Sequence, residues 1–193
     1  VLEPDPLWND ALALNGPRSP EVAPFVDAAD EAPWPVLDTN RVVSTWVVGL
    51  HGGAGASLLT NLLGPAAADA ERRWPRYVGW VRPIKPASVV AVARTHYEGI
   101  AAARRLARLW ASGSLSEYAH LLGIVMIDDG PKLVRDQERA VTRVARMVPH
   151  GWHIPWNETW RLAQPSYETV PARVRRIVDN IHSLSSSTNG EQQ

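Results

Sequence analysis

The sequence predicts an α/β fold, a mostly parallel sheet with flanking helices. Three observations lead there. Short β-branched runs such as "RVVSTWVVGL", "ASVVAVART" and "LLGIVMIDD" have the continuous apolar character of strands buried on both faces. Amphipathic patterns such as "EGIAAARRLARLWASG" and "LVRDQERAVTRVARMV" alternate with them. The intervals are long enough for the crossover helices that parallel neighbours require. A chain of 193 residues has room for one such domain and some tail.

Residues 1 to 40 hold seven of the sixteen prolines and no sustained period. Eight acids (Glu3, Asp5, Asp10, Glu21, Asp27, Asp30, Glu31, Asp38) face one base, Arg18, giving about −7 here and about +7 in the remainder of a formally neutral chain. This composition predicts a mostly disordered acidic arm, interrupted by apolar spots at Trp8 and "APWPVL" (Ala32 to Leu37). The folded domain is expected over 41–184. A strand runs from Arg41 to Leu50. The helix "ASLLTNLLG" follows, with Leu58, Leu59, Leu62 and Leu63 on one face and Gly64-Pro65 as its stop. Residues 65–86, broken by Pro65, Pro75, Pro83 and Pro86, read as a short helix and a loop. A strand from Ala87 to Thr95 leads to a helix from Glu98 to Gly113, whose Ile100, Ala103, Leu106, Ala107 and Trp110 share a face. A third strand (Leu121 to Asp129), a helix (Leu133 to Val148), a short fourth strand (His150 to Trp156) and a closing helix (Tyr167 to Leu184) complete the domain. Residues 185–193 read as a frayed, disordered tail.

The chain has no cysteine, which excludes disulfides, thiolate metal sites and cysteine nucleophiles and is compatible with the cytoplasm, the expected location. No apolar run approaches the ~18 residues of a membrane span.

Function is most legible in "TWVVGLHGGAGASLLTNLL" (Thr45 to Leu63): a buried strand, a run of glycines, then a helix start. Such a turn aims successive backbone N–H groups, and the positive end of the helix, at an anion. A phosphate loop normally ends Gly-Lys-Ser/Thr, the lysine reaching the outer phosphates and the hydroxyl holding Mg²⁺. The series Gly49-Leu50-His51-Gly52-Gly53-Ala54-Gly55-Ala56-Ser57 keeps the glycines and the hydroxyl but has no lysine. The structural alternative is a tight strand-to-helix turn with no ligand.

This loop resembles the deviant phosphate loop of ParA/MinD-type ATPases. By that resemblance His51 stands at the family's signature lysine, Ala56 at the common lysine and Ser57 at the Mg²⁺ ligand. The likeness continues through "SVVAVARTHYEGIAAARRLARLW", "LLGIVMIDD" and "HIPW", roughly residues 43 to 160. It implies a reduced P-loop NTPase-like domain of Rossmann-like, three-layer architecture. ATP or ADP with Mg²⁺ would lie on His51, Gly52, Gly53, Ala54, Gly55, Ala56 and Ser57, with Asp128 (or Asp129) and Pro155 at the base end. The chain also looks like actinobacterial proteins of unknown function that carry "GLHGGAGAS" and "MVPHGWHIPW".

Two features depart from the ATPase pattern: both lysines are lost, and the short interval between the loop helix and "SVVAVA" holds no recognisable switch or acidic strand. Removing one electrostatic donor of this kind is worth roughly 3–4 kcal/mol, about a hundred- to a thousand-fold in rate. The expectation is therefore a pseudo-ATPase, a nucleotide-binding or interaction module with a protein partner or a second copy of itself. A residual ATPase is one alternative. Another is a DNA-associated protein using Arg173, Arg175 and Arg176, with Arg161, Arg143 and Arg146 upstream, and with Arg173 and Arg176 on one face of the last helix.

Other constellations are weaker. Asp128 in "GIVMIDD" could instead be the Mg²⁺-holding acid, and Asp129 a helix N-cap. His150 and His153 lack the further ligand that zinc needs, and read as structural. Arg94, His96 and Glu98 follow a strand end, where Arg94 could reach a phosphate.

Overall fold

The computed structural model describes residues 7–8, 10–79 and 86–190. Expectations placed on the remaining positions, among them Glu3, Asp5, the break at Pro83 and the last residues of the polar tail, lie outside the described residues.

The elements run β1 (Ala13–Asn15), β2 (Val36–Thr39), β3 (Thr45–Gly49), α1 (Ala56–Leu63), β4 (Ala67–Asp69), β5 (Trp74–Tyr77), β6 (Ala87–Arg94), α2 (Tyr97–Ala111), β7 (Ala119–Ile127), α3 (Arg135–Ala145), β8 (His150–Ile154) and α4 (Ala172–Gly190). Six strands form one sheet in the order β1-β8-β7-β6-β3-β4, and β2 and β5 form a second, two-stranded parallel sheet. Only β1 is antiparallel to its neighbour in the main sheet. Counted along the chain, its five parallel strands take the doubly wound order 2-1-3-4-5. The α/β class and the mostly parallel sheet agree with the sequence reading.

The strands are buried on both faces because helices cover both. Trp46, Val48, Ala91, Ile124 and Met126 face α2 and α3, meeting Ala103, Leu106, Trp110, Val141 and Val144. The alternate side chains Val47, Val90, Val92, Val125 and Ile127 meet Leu59 and Leu62 of α1 and Val174, Ile177 and Ile181 of α4. This period of two within unbroken apolar runs builds a Rossmann-like arrangement of three layers. Among the described residues no helix is long and apolar enough to cross a membrane.

Three sequence expectations need correction. The described part of the interval after α1 holds no α-helix: a 3₁₀ turn at Gly64–Ala66 is followed by β4 and β5. Alanine favours helix, but Ala67 and Ala68 hydrogen-bond beside Thr45 and Trp46 of β3, and this tertiary pairing overrides the propensity. The tail is helical through Gly190; Ser185 is buried, with its Oγ 2.6 Å from the hydroxyl of Thr45.

The third correction concerns the arm, which is anchored to the domain at several points, although Val22 and Phe25 stay exposed. Trp8 is 2% exposed and donates its indole N–H to the carbonyl of Gly151 at 3.0 Å. β1 extends the sheet beside β8. Glu31 approaches Arg105 at 3.6 Å and Arg108 at 3.2 Å on α2, and Trp34 lies 4.9 Å from the Arg105 guanidinium. The apolar spots at Trp8 and "APWPVL" are docking points, and of the acids between them Glu31 meets the arginines of α2.

Candidate functional site

β3 delivers the chain to the C-terminal edge of the parallel strands, between β3 and β6, where the strand order reverses. Such switch points are where open α/β sheets place ligands. The glycine loop turns here into α1. Gly53 (φ 74) and Gly55 (φ 101) occupy left-handed backbone that L side chains rarely adopt. At Gly55 a Cβ would also sit 2.8 Å from Cδ1 of Ile127. Ala54 donates to the carbonyl of His51 at 3.3 Å, and Leu59 to that of Gly55 at 2.9 Å. The N–H groups of Ala56, Ser57 and Leu58, the first of α1, find no acceptor among the described residues and are left for solvent or a ligand. The hydroxyl of Ser57 is exposed beside them.

The loop forms one wall of an open groove of about 530 Å³, and Asp69, Glu71 and Arg72 form another. Those three residues follow β4, the edge strand beside β3. Glu71 (φ 51) and Arg72 (φ 64) are both left-handed without being glycine, a conformation that persists only where neighbours hold it. The Asp69 carboxylate accepts the Glu71 N–H at 2.8 Å, and Trp34 donates its indole N–H to the Arg72 carbonyl at 3.1 Å. The Arg72 guanidinium is exposed and makes no hydrogen bond or ion pair with the described residues.

His51 does not present a cation to this groove. Its Nε2 accepts the Arg94 N–H at 3.0 Å while its Nδ1 lies 2.9 Å from the carbonyl of Gly52. A ring that accepts on one nitrogen and donates from the other is the neutral Nδ1–H tautomer. Arg94 is likewise committed to the scaffold, donating to the carbonyls of Gly53 (3.3 Å) and Asp128 (3.0 Å). Gly99, in the first turn of α2, closes this cluster: a Cβ there would lie 2.1 Å from the Arg94 oxygen and 2.9 Å from Nε2 of His51. His96 caps α2, its Nδ1 accepting the Gly99 N–H at 3.1 Å, and its ring meets that of His51 edge-on at 4.7 Å.

The structure thus brings His51, Gly52, Gly53, Ala54, Gly55, Ala56 and Ser57 together in one groove, and leaves Asp128 and Pro155 outside its lining. Asp128 is 8% exposed and turned inward. His153 Nε2 donates to its Oδ1 at 2.9 Å, and the Trp156 N–H to its Oδ2 at 3.3 Å. Of the histidines of "HGWH", His153 is taken up by Asp128 and His150 Nδ1 lies 2.9 Å from Oδ1 of Asn15, and among the described residues no three metal-ligating side chains come together. Asp129 does not cap α3, which begins after Val134; its N–H goes to the hydroxyl of Thr95 at 3.1 Å. Arg173 does not share a solvent face with Arg176: it is 7% exposed and donates to the Ala11 carbonyl at 2.7 Å.

Over residues 43–178 the sequence matches a family of unknown function, DUF6668. The chain belongs to that family. No curated protein and no solved structure matches it. The DUF6668 span takes in the glycine loop, the Asp69–Arg72 turn and five of the main-sheet strands, leaving β1 outside.

Within that span, Asp69, Glu71 and Arg72 are the site residues that the sequence reading missed. The available signal was an acid closing a three-residue apolar run, then an Asp-x-Glu-Arg-Arg cluster before the buried Trp74. A helical reading of "PAAADAERRW" spread those charges around a helix surface.

Proposed function

We propose that this chain is a non-hydrolysing nucleotide-binding module of the cytoplasm, a degenerate relative of ParA/MinD-type P-loop ATPases, whose bound nucleotide controls contact with a protein partner. The observation that carries this reading is the groove itself. Amides at the start of α1, two left-handed glycines and an exposed Ser57 hydroxyl line one groove with the Arg72 guanidinium, and among the described residues neither those amides nor that guanidinium has a partner. An anion would meet helix-terminal donors on one side and a planar five-donor cation on the other. Arg72 would supply the charge that Ala56 and the neutral His51 lack. ATP or ADP would enter by its phosphates, with Mg²⁺ shared by the phosphates and the Ser57 hydroxyl and Asp69 across the groove.

Hydrolysis is not expected, because among the described residues no lysine lines the groove and His51 and Arg94 both serve the scaffold. The DNA-associated alternative loses one of its named arginines to the interior, since Arg173 is buried against Ala11.

Calorimetric titration of ATP and ADP, with and without Mg²⁺, tests the reading on the wild type, Ser57→Ala and Arg72→Ala. The expected result is Mg²⁺-dependent binding, weakened about tenfold or more by either substitution, without turnover. A tenfold loss corresponds to about 1.4 kcal/mol, within the range of one charge-assisted hydrogen bond. Absence of binding at millimolar nucleotide would leave the loop as a structural turn.

A further inference from the structure

At the end of the sheet opposite the glycine loop, the starts of β7 and β8 meet the turn after β1 and the end of α4 around a cavity of about 480 Å³. Its chemistry is one-sided. Arg18, His120 and His150 line it, with Asn15, and no carboxylate does so among the described residues. The Arg18 guanidinium forms no ion pair with the described residues. His150 donates from Nδ1 to Oδ1 of Asn15 at 2.9 Å, which aims the ring and leaves Nε2 as its titrating nitrogen. Leu122 and Leu184 give the cavity an apolar wall.

These groups come from separate elements and gain nothing from one another electrostatically. His120 keeps an exposed edge, and partial desolvation of its ring holds it below the ordinary histidine range. Burial, then the Arg18 charge, then His120, hold His150 below it as well. Among the described residues the charged or titratable groups lining the cavity are His120, His150 and Arg18; β1 adds the Asn15 amide and α4 the Ser187 and Thr188 hydroxyls. The cluster is short of one component, a negative charge that would satisfy Arg18 and let the imidazoles protonate.

We propose that this cavity binds a small organic carboxylate, its head on Arg18, His120 and His150 and its apolar part against Leu122 and Leu184. The fork of Arg18 suits a carboxylate in a two-bond geometry. An inorganic anion would satisfy the cations but leave the leucine wall unfilled. Binding draws protons onto the imidazoles, so affinity falls as pH rises. This site is independent of the glycine loop and of its reading as a nucleotide site.

The test titrates benzoate into the full chain, with inorganic phosphate and uncharged benzamide as comparators, and follows the imidazole ¹⁵N signals of His120 and His150. Benzoate is expected to bind more tightly than phosphate, and benzamide not to bind. Both imidazoles then titrate at higher pH in the saturated protein. Affinity drops roughly tenfold per pH unit wherever one proton is taken up, within about pH 5.5 to 7.5. Arg18→Gln, at a surface turn, weakens binding about tenfold or more, and His120→Asn flattens the pH dependence. The proposal is overturned if benzoate leaves both imidazole signals unmoved, if phosphate or benzamide binds as well as benzoate, or if Arg18→Gln binds benzoate unchanged.

Discussion

The imidazole of His51 accepts the backbone N–H of Arg94 at 3.0 Å, fastening the glycine loop to the end of β6. A histidine at this position therefore acts as a spacer with a fixed acceptor. His51→Ala leaves the Arg94 N–H without its partner and is expected to lose about 1–3 kcal/mol. His51→Lys should lose a similar amount, because an ammonium cannot accept a hydrogen bond. Urea unfolding measures both. A His51→Lys protein as stable as wild type would show that the ring is not the fastening.

Gly55 and Gly52 differ although they sit in one run. At Gly55 both the backbone (φ 101) and the 2.8 Å approach of Ile127 oppose a side chain, whereas a Cβ at Gly52 meets nothing within 4 Å. Gly55→Ala should cost about 1–3 kcal/mol in thermal or urea unfolding. Gly52→Ala should stay within about 0.5 kcal/mol of wild type. Equal effects would mean that the loop relaxes freely and its shape is not imposed by the β3–β7 core.

The missing lysine can be put back. If the groove takes phosphate, Ala56→Lys adds a flexible cation at the first position of α1 and should raise ATP affinity about tenfold, roughly 1.4 kcal/mol. The gain should be larger in Arg72→Ala than in wild type, because the two cations would compete for the same phosphates. Calorimetry of the four proteins gives this cycle. No gain in either background would argue that the groove does not hold phosphate.

The sheet and its covering helices were legible because strands buried on both faces leave continuous β-branched runs, and α2 and α3 leave clean helical periods. The glycine loop was legible because left-handed backbone, adopted at positions 53 and 55, strongly favours glycine. What stayed hidden depended on long-range partners. β4 has three residues, and its strand state exists only through pairing with β3, so Asp69 and Arg72 could not be placed beside Ser57 from local pattern. The inward turn of Asp128 depends on His153, 25 residues on. Proline-rich composition suggested a free arm because the hydrophobic surface that Trp8 covers is assembled by β8.

Acid should destabilise the fold through the cavity beside β7 and β8. His120 and His150 are held below the ordinary histidine value by burial, and His150 further by Arg18 and His120. In the unfolded chain both titrate near the ordinary value of about 6.5. Below that pH the unfolded state binds protons first, so stability is full above about pH 6.5 and declines as pH falls through the lower folded values. Urea midpoints between about pH 7.5 and pH 5 should therefore fall less in a His120→Asn, His150→Gln double variant than in wild type. Equal pH slopes would show that these imidazoles are not desolvated in the folded state.

The N-terminal segment separates a packed strap from a loose arm most sharply at Trp8. Its indole is 2% exposed, bonds the Gly151 carbonyl at 3.0 Å and lies 5.6 Å from the ring of His153, which in turn holds Asp128. Trp8→Ala opens a large cavity over β8 and should cost about 3–5 kcal/mol. Further along the segment, Glu31 meets Arg105 and Arg108 at the surface, and Glu31→Gln should cost less than about 1 kcal/mol. The contrast matters more than either value. A free acidic arm held by charge would reverse the order, with little effect at Trp8 and a salt-sensitive effect at Glu31. Urea unfolding of both variants at low and high salt distinguishes the two. The packed strap predicts a large, salt-independent loss confined to Trp8→Ala.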